Sequence, residues 1–359
     1  MIGTRERVMR YSCASFALSV LVALASGAQG QTATPGGDPG AKVVLRGAGA
    51  TFPAPLYKKW IAEYSRAHPG TTIDYRDVGS SEGAKRFLGQ QVDFGASDSA
   101  LSDEQIASAK DGAALVPTTA GMVVFAYNLP GLNGPLKLSR ATYIDLLSGR
   151  IPKWNDARVQ ATNPGLNLPN RDIVLVARLD GSGTTFALTN HLSAANRKWQ
   201  EMGRVVGNIV GWPTGTMLVR GNEGVAARIK VSEGSIGYVE FAFAKRLGLP
   251  MAHLENKAGN LVAPSAESGR AAIEANLTRI PGNLRVFLPD PEGEHAYPIV
   301  SLTWLLLNER YGDPGKAVAL KQFVNWVLTD GQPMGAELGY VGLPAELIAR
   351  SRASVEAVR

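Results

Sequence analysis

The stretch RLDGSGTTFALT, residues 178–189, decides how the chain is read. It follows an apolar run, IVLVA (173–177), that has the length and composition of a buried strand. It leads into FALTNHLSAANRKW (186–199), which reads as a helix. Between them lie an acid, two glycines flanking a serine, and two threonines. A helix start offers unpaired backbone N–H groups and a partial positive charge. Glycine lets another group approach that backbone closely. The stretch therefore reads as a strand end, a small-anion cradle and a helix start.

Three further segments share this design. GAGAT (47–51) follows the short strand VVLR (43–46), and a helix from Pro55 to about Ala67 follows it. GSS (79–81) lies between TTIDYRDV (71–78) and the helical EGAKRFLGQQ (82–91). ASDS (96–99) closes the strand VDFGAS (92–97), and Ser102 with Gln105 marks a helix start just beyond it. Farther on, GMVVFAYN (121–128) opens a second stretch that holds a helix within LSRATYIDLLSGRI (138–151) and a turn at PKWND (152–156). GSIGYVEFAFA (234–244) reads as a turn and then a buried strand or helix start. AYPIVSLTWLLLN (296–308) reads as a long buried strand, and KAVALKQFVNWVLTD (316–330) as an amphipathic helix. Alternating strands and helices give an α/β fold with mainly parallel sheets flanked by helices. In such folds ligands bind at the carboxyl ends of the strands, where all four loops fall.

The 359 residues suffice for about two domains. Residues 1–30 read as a signal peptide: Arg5, Arg7 and Arg10 precede an apolar core from Ala14 to Ala25, with cleavage after Ala25 or Gly30. Residues 31–41 read as a flexible leader. The only cysteine, Cys13, precedes the apolar core, so no lipid-anchor cysteine and no disulfide are expected in the mature chain. Removing three arginines and Glu6 with the leader takes the formal charge from +6 to +4. The remaining charge is scattered, without the dense basic stripe a nucleic acid needs.

The usual catalytic equipment is missing. Gly183 is followed by Thr184 and Thr185 and by no lysine, so the loop is not a nucleotide phosphate loop. Asp180 and Thr184 stand where a serine hydrolase needs glycines around Ser182. His68, His191, His253 and His295 have no metal-site spacing, and no metal or other cofactor is expected. Asp98 is the misfit, because a carboxylate repels an anion. An ionised carboxylate only accepts hydrogen bonds, so it suits an anion that carries a proton, as phosphate does and sulfate does not. The alternative is that Asp98 caps the following helix, and each loop taken singly also reads as a helix cap.

In order and spacing, GAGATFPAPLY (47–57), VGSSEG (78–83), DFGASDSALSDEQ (93–105), RLDGSGTTF (178–186) and GSIGYVEFAFA (234–244) resemble the periplasmic phosphate-binding proteins of bacterial ABC phosphate transporters, type II solute-binding proteins. The resemblance runs from about Val43 to about Leu343. It implies phosphate contacts from Thr51, the Phe52 amide, Ser80, Asp98, Arg178, Ser182, Gly183 and Thr184. Asp98 would accept the phosphate proton, Arg178 would pair with both phosphate and Asp98, and Asp180 would orient Arg178. Two positions depart from the pattern: Ser99 stands where many relatives have alanine, and Thr185 is sometimes serine.

The resemblance also implies a hinged two-domain fold, with residues 42–124 and 251–359 in one domain and 125–250 in the other. The function it implies is capture of protonated phosphate in the periplasm by a monomer, and delivery to the transmembrane subunits of an ABC permease, without catalysis. Binding of sulfate or molybdate is one competing reading, and a phosphoester hydrolase using Ser182 is another.

Overall fold

A computed structural model describes residues 42–276 and 281–359. The expected signal peptide and leader, residues 1–41, lie outside the described residues. The strands are β1 Val43–Gly49, β2 Thr71–Asp77, β3 Phe94–Ser97, β4 Ala114–Asn128, β5 Lys137–Leu138, β6 Val174–Arg178, β7 Met217–Val219, β8 Ser235–Glu240, β9 His253–Glu255, β10 Leu261–Val262 and β11 Val300–Leu307. Eight of them form one sheet in the order β2-β1-β3-β11-β4-β8-β6-β7. Strands β10, β9 and β5 form a small separate sheet.

Within the large sheet, β2, β1 and β3 run parallel, as do β8, β6 and β7. Only β11 and the β4–β8 pairing are antiparallel. The mixed α/β fold with mainly parallel strands is the one read from the sequence. Parallel strands need crossover helices, which cover the faces of the sheet. The strands are accordingly apolar on both sides: all eight residues of β11 are buried, and so is every residue of β4 from Leu115 to Tyr127.

The 15-residue β4 joins the two parts of the sheet. From Ala114 to Met122 it pairs with β11, and from Val123 to Asn128 it pairs with β8. The switch falls inside GMVVFAYN. The Val123 N–H turns to the carbonyl of Ile299 (2.9 Å), so the change of partner leaves no bare donor there. The strand begins seven residues earlier than the sequence reading placed it, because Pro117 interrupts the pattern. Pro117 sits opposite Trp304 while Thr119 sits opposite Thr303, which leaves Thr118 as the extra residue of a bulge. A proline within a strand is tolerated at such a place. The Thr118 hydroxyl is anchored by Tyr57 Oη at 2.7 Å.

Each of the four loops ends where a helix begins. Helix Ala54–Ala67 follows β1, Ser80–Leu88 follows β2, Asp103–Ser108 follows β3 and Gly183–Ala195 follows β6. Helix Ala54–Ala67 buries Leu56, Tyr57, Trp60 and Tyr64 on one face. Full burial of such a side chain contributes about 1.5–3 kcal/mol. The Trp60 indole N–H also donates to the Gly331 carbonyl at 2.6 Å, so no polar atom is stranded. These helices press the loop backbones onto the strand ends and hold them there.

Candidate functional site

The carboxyl ends of β1, β2, β3 and β6 bring the predicted residues together in one buried cluster. Thr51, Phe52, Ser80, Asp98, Arg178, Asp180, Ser182 and Thr184 are all buried. Gly183 lies against the first part of the chain: a methyl group there would stand 2.5 Å from Ser80 Oγ and 2.7 Å from Asp98 Oδ2. Only glycine allows that approach. Gly79, with φ +99°, combines a backbone shape that L side chains rarely adopt with an equally tight contact, 2.5 Å from Asp180 Oδ2. Backbone contact also crosses the site, from Ser81 N–H to the Gly181 carbonyl at 3.0 Å.

Ser182 is the N-cap of helix Gly183–Ala195, and its Oγ accepts from Thr185 N–H at 3.1 Å. That bond satisfies one first-turn donor and leaves the N–H groups of Gly183 and Thr184 at the positive end of the helix dipole. Among the described residues no histidine is hydrogen-bonded to the Ser182 hydroxyl. Buried His191 instead bonds Tyr143 Oη and the Pro289 carbonyl. Phe52 contributes backbone: its carbonyl accepts from Tyr340 Oη at 2.7 Å, and its N–H has no acceptor among the described residues.

Arg178 ends β6 with its side chain almost fully buried. Nε donates to Asp180 Oδ1 at 2.8 Å and Nη2 to Asp180 Oδ2 at 2.5 Å, a forked pairing that fixes the guanidinium plane. Nη1 donates to Thr184 Oγ1 at 3.3 Å. Three of the five guanidinium N–H groups are thereby used, which leaves two for a ligand. Burial alone would raise the Asp180 carboxyl. The Arg178 hydrogen bonds and charge, with the Gly221 N–H at 3.0 Å, outweigh burial and hold Asp180 below the usual carboxylate range. The sequence reading expected Asp180 to orient Arg178 and Arg178 to pair with Asp98; this fork is the contact between the first two.

Asp98 differs from that expectation in one respect. No direct hydrogen bond joins Arg178 to Asp98, because Asp180, two residues along the same chain, takes the fork of the guanidinium. Asp98 Oδ1 accepts from Thr303 Oγ1 at 2.8 Å and Oδ2 from Ser80 Oγ at 3.4 Å. Burial pushes its carboxyl up to about 7. The Thr303 bond, the nearby Arg178 charge and the Ser80 bond all act in the opposite sense. Asp98 does not cap the following helix: Ser102 does so, in a reciprocal capping box with Gln105.

Four residues near the site were not read as part of it. Thr303, on β11, holds Asp98. Tyr238, on β8, bonds the Arg178 N–H at 3.1 Å and Thr185 Oγ1 at 2.6 Å. Asn208 reaches from the second part of the chain to Ser81 Oγ (3.0 Å) and Ser99 Oγ (2.8 Å). Asn222, in the first turn of helix Gly221–Val231, bonds both Thr51 and Thr184. A cavity of about 770 Å³ opens beside the cluster, lined by Thr51, Ser81, Lys85, Arg86, Asp180 and Gly221 among others. Among the described residues no cluster of three or more His, Cys, Asp or Glu could hold a metal ion, and no helix is long and apolar enough to cross a membrane.

A family model described as a PBP superfamily domain matches residues 30–331. The chain is 39% identical over 311 residues to a phosphate-binding protein PstS of Pasteurella multocida, covering 86% of this chain and 89% of that one. It is 38% identical over 306 residues to the Haemophilus influenzae PstS, covering 85% and 90%. Among solved structures, a periplasmic phosphate-binding protein with bound phosphate superposes with a TM-score of 0.71 at 24% identity, over 87% of this chain and 93% of that one. A phosphate-binding protein from Stenotrophomonas maltophilia superposes with a TM-score of 0.67 at 19% identity, over 87% and 93%. These two likenesses concern the fold. On the family model and the identity over most of its length, the chain belongs to the PBP superfamily and, within it, to the PstS phosphate-binding protein family.

Proposed function

We propose that this protein binds inorganic phosphate through Thr51, the Phe52 amide, Ser80, Asp98, Arg178, Ser182, Gly183 and Thr184, and hands it to an ABC permease. The observation that carries the reading is the pairing of opposites in one buried cluster. Arg178, its free N–H groups and the start of helix Gly183–Ala195 supply donors. Asp98, which ionises at about pH 7, supplies an acceptor. A protonated phosphate satisfies both, because it accepts on most of its oxygens and donates from one. Sulfate brings no proton, so above about pH 7, where Asp98 is ionised, it leaves the carboxylate facing an oxygen with no proton between them unless Asp98 itself takes one up, which costs more as pH rises.

Residues 42–124 with 251–359 form one lobe in this reading, and residues 125–250 the other. The change of partner along β4 at Met122 and Val123 supports a crossing there. The return beside Met251, which bridges to Ala126, supports the second. Three anion-binding loops then come from one lobe and Arg178 with its helix start from the other, so that closure encloses the ligand. The N-terminal pattern supports export to the periplasm, where the protein acts as a monomer and performs no chemistry.

Calorimetry on the mature chain, stripped of phosphate, tests this with phosphate and then sulfate at pH 7 and again above about pH 8, where Asp98 is ionised and the contrast is greatest. Tight phosphate binding with no sulfate heat is expected. Equal binding of phosphate, sulfate and molybdate would make the site a general oxyanion receptor. Turnover of a chromogenic phosphate ester that is lost in Ser182→Ala would make it a hydrolase.

A further inference from the structure

Asn222 touches both sides of the site from behind. It is fully buried in the first turn of helix Gly221–Val231, beyond the edge strand β7. Its side-chain Nδ2 donates to Thr51 Oγ1 at 2.9 Å and to Thr184 Oγ1 at 3.0 Å. Its backbone N–H also donates to Thr51 Oγ1, at 3.2 Å. Its Oδ1 accepts from the Glu240 backbone N–H at 3.0 Å. That last bond fixes the amide orientation, since a backbone N–H needs an acceptor opposite it. The NH2 end therefore faces the two threonines.

A hydroxyl carries one hydrogen and two lone pairs. Thr51 Oγ1 receives two donors, both from Asn222. Thr184 Oγ1 also receives two, from Asn222 and from Arg178 Nη1. With both lone pairs taken, each hydroxyl has only its hydrogen left to offer. Both threonines are then obliged to donate, one from each side of the site.

We propose that Asn222 is a positioning residue that sets Thr51 and Thr184 as donors, so that the site demands acceptor oxygens from its ligand. The proposal rests on the phosphate reading above. Asn222 need not touch the ligand itself. It acts through the hydroxyls, and it ties the fifth strand–helix junction of the sheet to the anion.

A coupling experiment tests it. Phosphate affinity is measured by equilibrium dialysis with labelled phosphate for the parent, Asn222→Ala, Thr51→Val, Thr184→Val and the two pairwise combinations. In the parent, Asn222→Ala is expected to weaken binding about tenfold or more, as loss of bonds that orient two buried donors. In each valine background the same change is expected to cost at least about threefold less, because the hydroxyl it acts through is gone. If the alanine variant does not fold, as judged by circular dichroism, Asn222→Asp keeps the shape and runs the same cycle. Its carboxylate accepts the threonine hydrogens, and its loss is again expected to shrink in the valine backgrounds. Equal losses in all backgrounds, or no loss, with a parent that binds phosphate, overturn this inference alone. A parent that does not bind phosphate overturns the proposed function and this inference with it.

Discussion

Asp98 and Glu240 are both buried carboxylates, but their surroundings set them apart. Asp98 lies at the end of β3 among hydroxyls, within reach of the Arg178 charge, and burial lifts it only to about 7. Glu240 lies at the end of β8, beside the strand switch in β4. Its Oε2 accepts from Ala242 N–H at 2.9 Å and Tyr340 Oη at 3.3 Å, and its Oε1 has no partner among the described residues. Burial pushes it well above the carboxylate range, those bonds only partly oppose this, and the Asp98 charge raises it further. The difference is the Thr303 hydrogen bond together with the Arg178 charge. A buried acid with both can ionise near neutrality and act as an acceptor, whereas a buried acid without them stays neutral and serves structure.

Removing the cation should break that contrast. Arg178→Met leaves Asp180 buried without its partner and deprives Asp98 of its counter-charge, so Asp98 comes to resemble Glu240. Phosphate affinity is expected to fall about a thousandfold, read by equilibrium dialysis, since truncating one member of a buried charge pair costs several kcal/mol.

The next effect concerns stability. The folded carboxyl of Asp98 titrates at about 7, against about 3.9 in an unfolded chain. Between those values the ligand-free folded protein holds a proton that the unfolded chain has released. Stability from this group is therefore full below about pH 4 and is lost as pH rises towards 7, by on the order of 4 kcal/mol. Asp98→Asn should stabilise the ligand-free protein against urea at pH 8 and leave it nearly unchanged at pH 4. Glu240→Gln is expected to show the same trend: folded Glu240 keeps its proton while the unfolded side chain releases it above about pH 4.3, so the substitution should stabilise progressively against urea as pH rises from about 5 to about 8.

The smallest effect lies at the rim. Ser99→Ala removes the Asn208 bond at 2.8 Å, while Asn208 keeps Ser81. A change in phosphate affinity of less than about threefold is expected in the same dialysis assay, in keeping with one partly exposed hydrogen bond.

The sequence discloses what is written locally. The four loops stand out because an apolar strand, a cluster of glycines and hydroxyls, and a helix follow one another within a dozen residues. Asn222 lies at a fifth junction of the same kind, but β7 is three residues long at a sheet edge, with Met217 and Leu218 exposed, so no apolar run announces it. Thr303 reaches Asp98 from 205 residues away on a strand that is buried throughout. Only pairing of β11 with β3 brings the two together. Glu240 sits within GYVEFAFA, which reads as either strand or helix start because it is both: β8 ends there, and Glu240 caps the helix Phe241–Arg246. Arg178 is legible, but its choice of Asp180 over Asp98 depends on side-chain geometry that spacing alone does not fix.

The central claim is that Asp98 reads the proton on the ligand. Phosphate and sulfate affinities, measured by calorimetry for the parent and for Asp98→Asn, test it most directly. The parent is expected to favour phosphate by a margin that widens up to about tenfold per pH unit above about pH 7, as Asp98 ionises, and the variant, whose amide can donate to either anion, by less than about tenfold at every pH. A variant that keeps the parent's full preference for phosphate would contradict the account.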